Sequence, residues 1–268
     1  MSHHHWGGRF ERPVVVFTSD QDWAPEWTCQ ALLDTTATRG VPLHVFRTSP
    51  SAVLDRAAAD GRITQGWHPN FQAGSSHGAT PQEVVGYCRA LVPGARTVRS
   101  HCFVESTQAW IALAEAGVVA DAQVLTAAQS HLEPMAHWTG LLRLPTFFAD
   151  DTFFTVRPDE LELSGVIDAL RAPGLKVMIF HPATFGCNVP SEAWYRGNHA
   201  AIFGSTDPSA AFTGRGTQQV FHELCDAIGE AGIEVVGFEA LVDELLATAD
   251  VDRPVVGLSR LPQPTGPR

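Results

Sequence analysis

Apolar runs and segments of helical period alternate along the chain. Pro13–Asp20 (PVVVFTSD) is a β-branched apolar run that turns polar at its end, the pattern of a buried strand. Residues 25–40 begin with a proline and close on a glycine, which predicts a helix. Strands are predicted over 42–48, 62–68 and 95–101, and helices over 51–61, 80–92 and 106–117. Thr80 with Glu83 three residues on reads as a capping box, and 70–79 is a Gly/Ser loop.

Further on, 118–126 and 140–148 are predicted strands and 158–171 a predicted helix. Residues 175–180 (LKVMIF) form a buried strand, and 188–214 read as a long polar loop or lid. A helix over 215–232, a strand over 233–238 and a helix over 239–249 complete the pattern. The division is an N-terminal extension over 1–12, one domain over 13–250, and a proline-rich tail over 251–268. Strands alternating with helices imply parallel pairing, so the expected fold class is α/β, a distorted (β/α) barrel of about seven strands.

Composition narrows the function. Of 268 residues, 44% are hydrophobic and 18% charged, an ordinary globular balance. The formal net charge of −11 argues against nucleic acid, which requires a basic footprint, and against an anionic membrane surface. No apolar run approaches the roughly 20 residues of a membrane span, and the first residues lack a signal-peptide core. The five cysteines are scattered with no CxxC pair, which fits reduced thiols and a cytoplasmic location. Lys176 is the one lysine. His3, His4 and His5 form a tag-like run and are set aside.

In a parallel barrel the chemistry collects at the C-terminal ends of strands. Four predicted strand ends carry Asp or His: Asp20 and Asp22, His68, His101, and His181. Asp20 and Asp22, two apart on an extended segment, would point the same way and repel unless a divalent ion lies between them. One would then bind the ion and the other act as base; the competing reading has one of them capping the next helix. Asp22 with His68 and His101 is a sound ligand set for Zn²⁺, with Co²⁺, Ni²⁺, Mn²⁺ or Fe²⁺ as alternatives. His77, in the Gly/Ser loop, is the alternative third ligand, and His101 is favoured because a rigid element holds geometry better. His181 suits a general acid, and Arg99 a partner that keeps Asp20 ionised. Arg143 interrupts an apolar strand and is expected to reach Asp150 or Asp151. Asn70, Arg143 and Asp150 are the candidate substrate-binding positions.

The segments TSDQDW (18–23), GWHPNF (66–71), VRSH (98–101), LLRLPTFFADD (141–151) and FHP (180–182), in that order, resemble the polysaccharide deacetylase (NodB-homology) superfamily, most closely its WbmS-like branch. The resemblance implies a NodB-type barrel and metal-dependent removal of an N-acyl group, usually acetyl, from an amino sugar or a related small amide. By resemblance, Asp20 matches the base, Asp22 and His68 match ligands, His181 matches the general acid, and Arg99 matches the residue orienting the base. The superfamily's second histidine, four residues after the first, is replaced here by Gln72, which leaves His101 as the substitute ligand. A branch histidine after FHP is replaced by Thr184. The alternatives are hydrolysis of another C–N bond, such as a formamide in a small metabolite, and a non-catalytic sugar-binding domain on the same barrel.

Overall fold

The computed structural model describes residues 6, 8–156, 163–204, 206, 209 and 211–248. The strands are β1 (Pro13–Asp20), β2 (Leu43–Arg47), β3 (Ile63–Trp67), β4 (Thr97–Val98), β5 (Ala120–Asp121), β6 (Met135–Ala136), β7 (Leu142–Arg143), β8 (Thr146–Ala149), β9 (Gly174–Ile179) and β10 (Glu234–Val235). The helices are α1 (Glu26–Thr38), α2 (Ala52–Ala59), α3 (Pro81–Leu91), α4 (Thr107–Glu115), α5 (Asp150–Val156), α6 (Ser164–Arg171), α7 (Pro182–Gly186), α8 (Glu192–Gly204), α9 (Thr217–Glu230) and α10 (Phe238–Thr248).

The sheet runs β6-β7-β5-β4-β3-β2-β1-β9-β8, with β10 also beside β1. Every pairing is parallel except β6 with β7. An isolated parallel bridge joins Leu125, just after β5, to Thr146 of β8. The sheet is thus curled into the expected distorted barrel, and this bridge links its two sides.

Burial follows the two-residue period of β1. Val14 and Val16 pack with Phe46, Ala120, Leu142, Leu175 and Val177, together with Phe238 and Leu241 of α10. Residues from strands all round the sheet meet in this cluster, as they do on the concave face of a curled sheet. Val15 and Phe17 face the other way, into a core with Leu32 of α1 and Phe221 of α9. Each such fully buried side chain contributes ~1.5–3 kcal/mol. Trp6 and Phe10, ahead of β1, belong to the concave cluster, and Trp6 Nε1 donates to Pro134 O at 2.8 Å.

Two buried titratable groups lie in this frame. His44 is held between Thr64 Oγ1 (2.7 Å) and Thr97 Oγ1 (3.1 Å) and stacks on Phe238. Gly66 leaves room for it: a Cβ there would sit 2.7 Å from His44 Nε2. Burial, with a smaller effect from the Arg99 charge, pushes the His44 imidazole down to about 3. Lys176 is buried, its Nζ 4.8 Å from the Phe147 ring centroid and 3.1 Å from Pro173 O.

Five expectations change. Residues 188–214 are not one long loop, because α8 occupies Glu192–Gly204. The 140–148 strand is split into β7 and β8 around Pro145, which has no N–H for a ladder. The strand expected over 95–101 shortens to Thr97–Val98, and the one over 118–126 to Ala120–Asp121. The 158–171 helix starts at Ser164 within the described residues, and the 251–268 tail lies outside them. No described helix is long and apolar enough to cross a membrane.

Candidate active site

β1 ends at Asp20, and the chain then turns through Asp22 (φ 46°) and Trp23 (φ 55°), two non-glycine residues in the left-handed region. The opposite loop carries a second such pair, Cys102 (φ 54°) and Phe103 (φ 53°), directly after His101. Each left-handed residue costs of order 1–3 kcal/mol, so the surrounding contacts must hold both turns. Gln21, nearly fully buried, supplies much of that hold. Its Oε1 accepts from Arg47 Nε and from the Thr48 and Ser49 amides, and its own amide donates to Phe46 O. The Asp22 amide donates to Thr48 Oγ1.

The two turns bring Asp22 and His101 together, with His101 Nδ1 2.8 Å from Asp22 Oδ1. His68, at the end of β3, places Nε2 3.0 Å from the same oxygen and Nδ1 3.5 Å from Asp20 Oδ1. Ligand atoms of Asp22, His68 and His101 all lie within 4.8 Å of one another. Both His68 ring nitrogens are buried, and neither makes a well-formed hydrogen bond among the described residues. An unsatisfied buried polar atom costs ~1–3 kcal/mol. A cation among these three side chains would satisfy His68, and the mixed carboxylate and imidazole donors suit a first-row divalent ion. Burial alone would raise the Asp22 carboxyl, but the hydrogen bond to His101 and the close imidazoles of His68 and His181 outweigh it and hold the group well below the usual carboxylate range. Burial would lower the His101 imidazole, and Asp22 overcomes this to raise it.

Asp20 lies beside this cluster in the grip of Arg99. Arg99 Nε reaches both carboxylate oxygens at 2.9 Å and Nη2 reaches Oδ1 at 2.6 Å. Arg99 is itself fully buried, with Nη1 donating to Thr18 Oγ1 and the guanidinium over the Phe46 ring. Such a forked ion pair fixes the carboxylate's orientation.

His181, two residues beyond β9 at the N-cap position of α7, faces the pair from the other side. Its Nε2 is 3.8 Å from Asp20 Oδ2 and 3.6 Å from Asp22 Oδ2. Its Nδ1 is held by Asp150 Oδ1 at 2.6 Å. Thr184 donates to the other Asp150 oxygen, so the position where a branch histidine was expected serves to anchor Asp150. Burial would lower the His181 imidazole, but Asp151 and Asp150 dominate and raise it well above its ordinary value. A cavity opens over Asp22 and His181, lined further by Asp151, Phe154, Tyr195 and Arg196. Burial and the nearby carboxylates push the Tyr195 phenol up to about 12, so it enters the cavity protonated.

Several expected positions move. Asp20 and Asp22 converge through a left-handed turn and not through strand alternation. Asp22 caps no helix: the N-cap of α1 is Pro25, without a side-chain cap. His101 sits in a single 3₁₀ turn, His101–Phe103, beyond the end of β4. His77 is buried beside Trp23 but outside the ligand cluster, its Nδ1 accepting from the Asn70 amide and its ring stacked on Tyr87. Arg143 reaches neither Asp150 nor Asp151; it pairs with Asp121 and Glu105, because β7 lies beside β5. The Asp150 side chain has no exposed surface, so it lies behind His181 and not in the cavity. Asn70 caps the Gln72 amide on the rim loop. Gln21, Thr184 and Tyr195 were not anticipated. The polar Gln21 between two candidate catalytic aspartates was the one available signal.

A family profile described as WbmS-like polysaccharide deacetylase matches residues 17–199. Among solved structures, a Bordetella bronchiseptica protein (WbmS), assigned as a polysaccharide deacetylase involved in O-antigen biosynthesis, is 24% identical and superposes with a TM-score of 0.71. The match covers 80% of this chain and 90% of that one. A Mycobacterium smegmatis protein assigned as a polysaccharide deacetylase is 15% identical, with a TM-score of 0.55 over 92% of this chain and 94% of its own. These likenesses show a shared fold. No curated protein matches the chain.

Proposed function

As the chain belongs to the WbmS-like polysaccharide deacetylase family, we propose that it hydrolyses the N-acyl amide, with acetyl as the acyl group, of an amino sugar. The observation that carries this reading is one cavity edge where an Arg-held aspartate, an Asp-held histidine and an Asp/His/His cluster meet. Asp22, His68 and His101 would hold a divalent ion of the Zn²⁺ kind, which supplies Lewis-acid polarisation of water and of the amide carbonyl. Asp20 is the base. Arg99 grips it and aims its free lone pairs, so it can take a proton from the attacking water. His181 is the acid on the opposite side. It enters protonated and passes the Nε2 proton to the amide nitrogen as the C–N bond breaks, so that a neutral amine leaves. Asp150, bound to Nδ1, fixes the ring orientation and stabilises the imidazolium. Water adds to the carbonyl carbon and the products are acetate and the free amine.

The test is acetate and formate release by the metal-loaded protein from a panel of N-acetylated and N-formylated amino sugars. Acetate release that Asp20→Asn abolishes supports the reading. Formate release without acetate would reassign the acyl group, and release of neither would remove the hydrolase reading.

A further inference from the structure

The cavity over Asp22 and His181 holds about 320 Å³, at the lower end of the roughly 300–1,000 Å³ of small-molecule sites. Its far side is α8, which presents Tyr195, Arg196 and Phe203 to it, while Phe154 of α5 closes a flank. This helix is built in. Ile202 is fully buried in the main core, with Trp194, Tyr195 and Phe203 packed against the same cluster. Its first turn is tied by Ser191 Oγ, which accepts from the Trp194 amide at 3.2 Å. Ahead of it, the Asn188 side chain donates to Phe212 O and Gly214 O, both at 2.9 Å, and accepts from the Gln218 amide at 3.0 Å. α8 therefore forms one wall of the cavity beside the catalytic groups, and the cavity's volume is that of a small ligand and not of a chain of rings. The walls combine aromatic faces with the Arg196–Glu192 ion pair, an apolar and polar mix that matches a sugar ring. The Tyr195 hydroxyl makes no hydrogen bond among the described residues, so it is available to a ligand.

We propose that α8 makes the site a pocket for one N-acylated sugar ring, free or at the end of a chain, and that Tyr195 binds that ring. The inference rests on the deacetylase reading for the choice of sugar. Tyr195 contributes its aromatic face and donates its hydroxyl proton to a sugar oxygen. Interior rings of a polysaccharide would need room on both sides and are excluded.

Saturation-transfer NMR on the metal-loaded wild-type protein tests this through binding, with N-acetylglucosamine, N-acetylgalactosamine and the β-1,4 hexamer of N-acetylglucosamine as probes. The expected result is saturation of the acetyl methyl of at least one free sugar, and of a terminal ring alone in the hexamer. Tyr195→Phe should weaken the free-sugar Kd by about five-fold, one neutral hydrogen bond, and Tyr195→Ala by more. Circular dichroism melts of both variants establish that they fold. Interior hexamer rings saturated as strongly as terminal ones would overturn the proposal. So would no saturation by any probe, or an unchanged Kd in a folded Tyr195→Ala. Binding of a free sugar without acetate release would sink the deacetylase reading and leave the pocket standing. Acetate release from interior rings would do the reverse.

Discussion

His181 Nδ1 lies 2.6 Å from Asp150 Oδ1, and the His181 backbone amide donates to Asp150 Oδ2 at 3.0 Å. One carboxylate thus fixes both the backbone and the ring of the same residue. Asp150→Asn removes the negative charge that favours the protonated ring, so the His181 pKa falls. An acid must be protonated to act, and the alkaline limb of the kcat/KM profile should therefore move to lower pH. The expected loss in kcat is about 10²–10⁴-fold. An alkaline limb that stays in place would show that Asp150 does not tune the acid.

Metal content separates the imidazoles. Asp22→Ala, His68→Ala and His101→Ala should each lose a bound divalent ion, while His77→Ala keeps it, because the ligand atoms that gather at Asp22 are those of His68 and His101 and not of His77. Elemental analysis of the purified variants decides this, and ion loss in His77→Ala alone would move the third ligand to the loop.

Asp20→Asn should retain the ion and lose about 10²–10⁴-fold in kcat, since an amide cannot take a proton. Arg99→Leu acts differently. It strands a buried carboxylate and should cost ~3–5 kcal/mol of stability besides activity. Urea unfolding with parallel turnover assays separates the two, and an Arg99→Leu protein as stable as wild type would contradict the buried pair.

His44 makes stability depend on pH. Unfolded, its imidazole titrates near 6.5, whereas in the fold it stays neutral down to about 3. Between those values the unfolded chain binds the extra proton, so stability is lost as pH falls below 6.5, by up to ~1.4 kcal/mol per unit. His44→Gln, which can still bond Thr64 and Thr97, should flatten that slope. Equal slopes in urea titrations between pH 7 and 5 would rule His44 out as the source.

Gln21→Ala leaves the Thr48 and Ser49 amides and one Arg47 N–H without their acceptor. The expected destabilisation is ~2–4 kcal/mol, accompanied by weaker metal retention as the Asp22 turn loosens. Thermal melts and metal competition measure the two, and a loss of stability with unchanged metal affinity would show that the turn holds without Gln21.

β1 and β9 were readable because each is buried on both faces: VVVF in β1 and LKVMI in β9 admit little else. The concentration of Asp and His at strand ends located Asp20, His68 and His181. The details that set the geometry come from contacts distant in sequence. Asp150 meets His181 across 31 residues and Thr184 across 34, and no local pattern encodes either. The strand predicted to end at 148 runs to Ala149, and the chain then turns into α5 at Asp150, a helix that no pattern had announced. α8 was obscured because Ile202 is the only one of its described residues that is fully buried, and the polar RGNH stretch (196–199) breaks its apolar positions into two short runs.

Lys176 lies between Phe147 and Pro173, and no other lysine exists in the chain. Reagents that acylate lysine therefore find no exposed lysine on the folded protein. Succinimidyl-ester labelling of this position becomes a chemical clock for opening of the β8–β9 region, reporting how often the barrel breathes without any engineered probe.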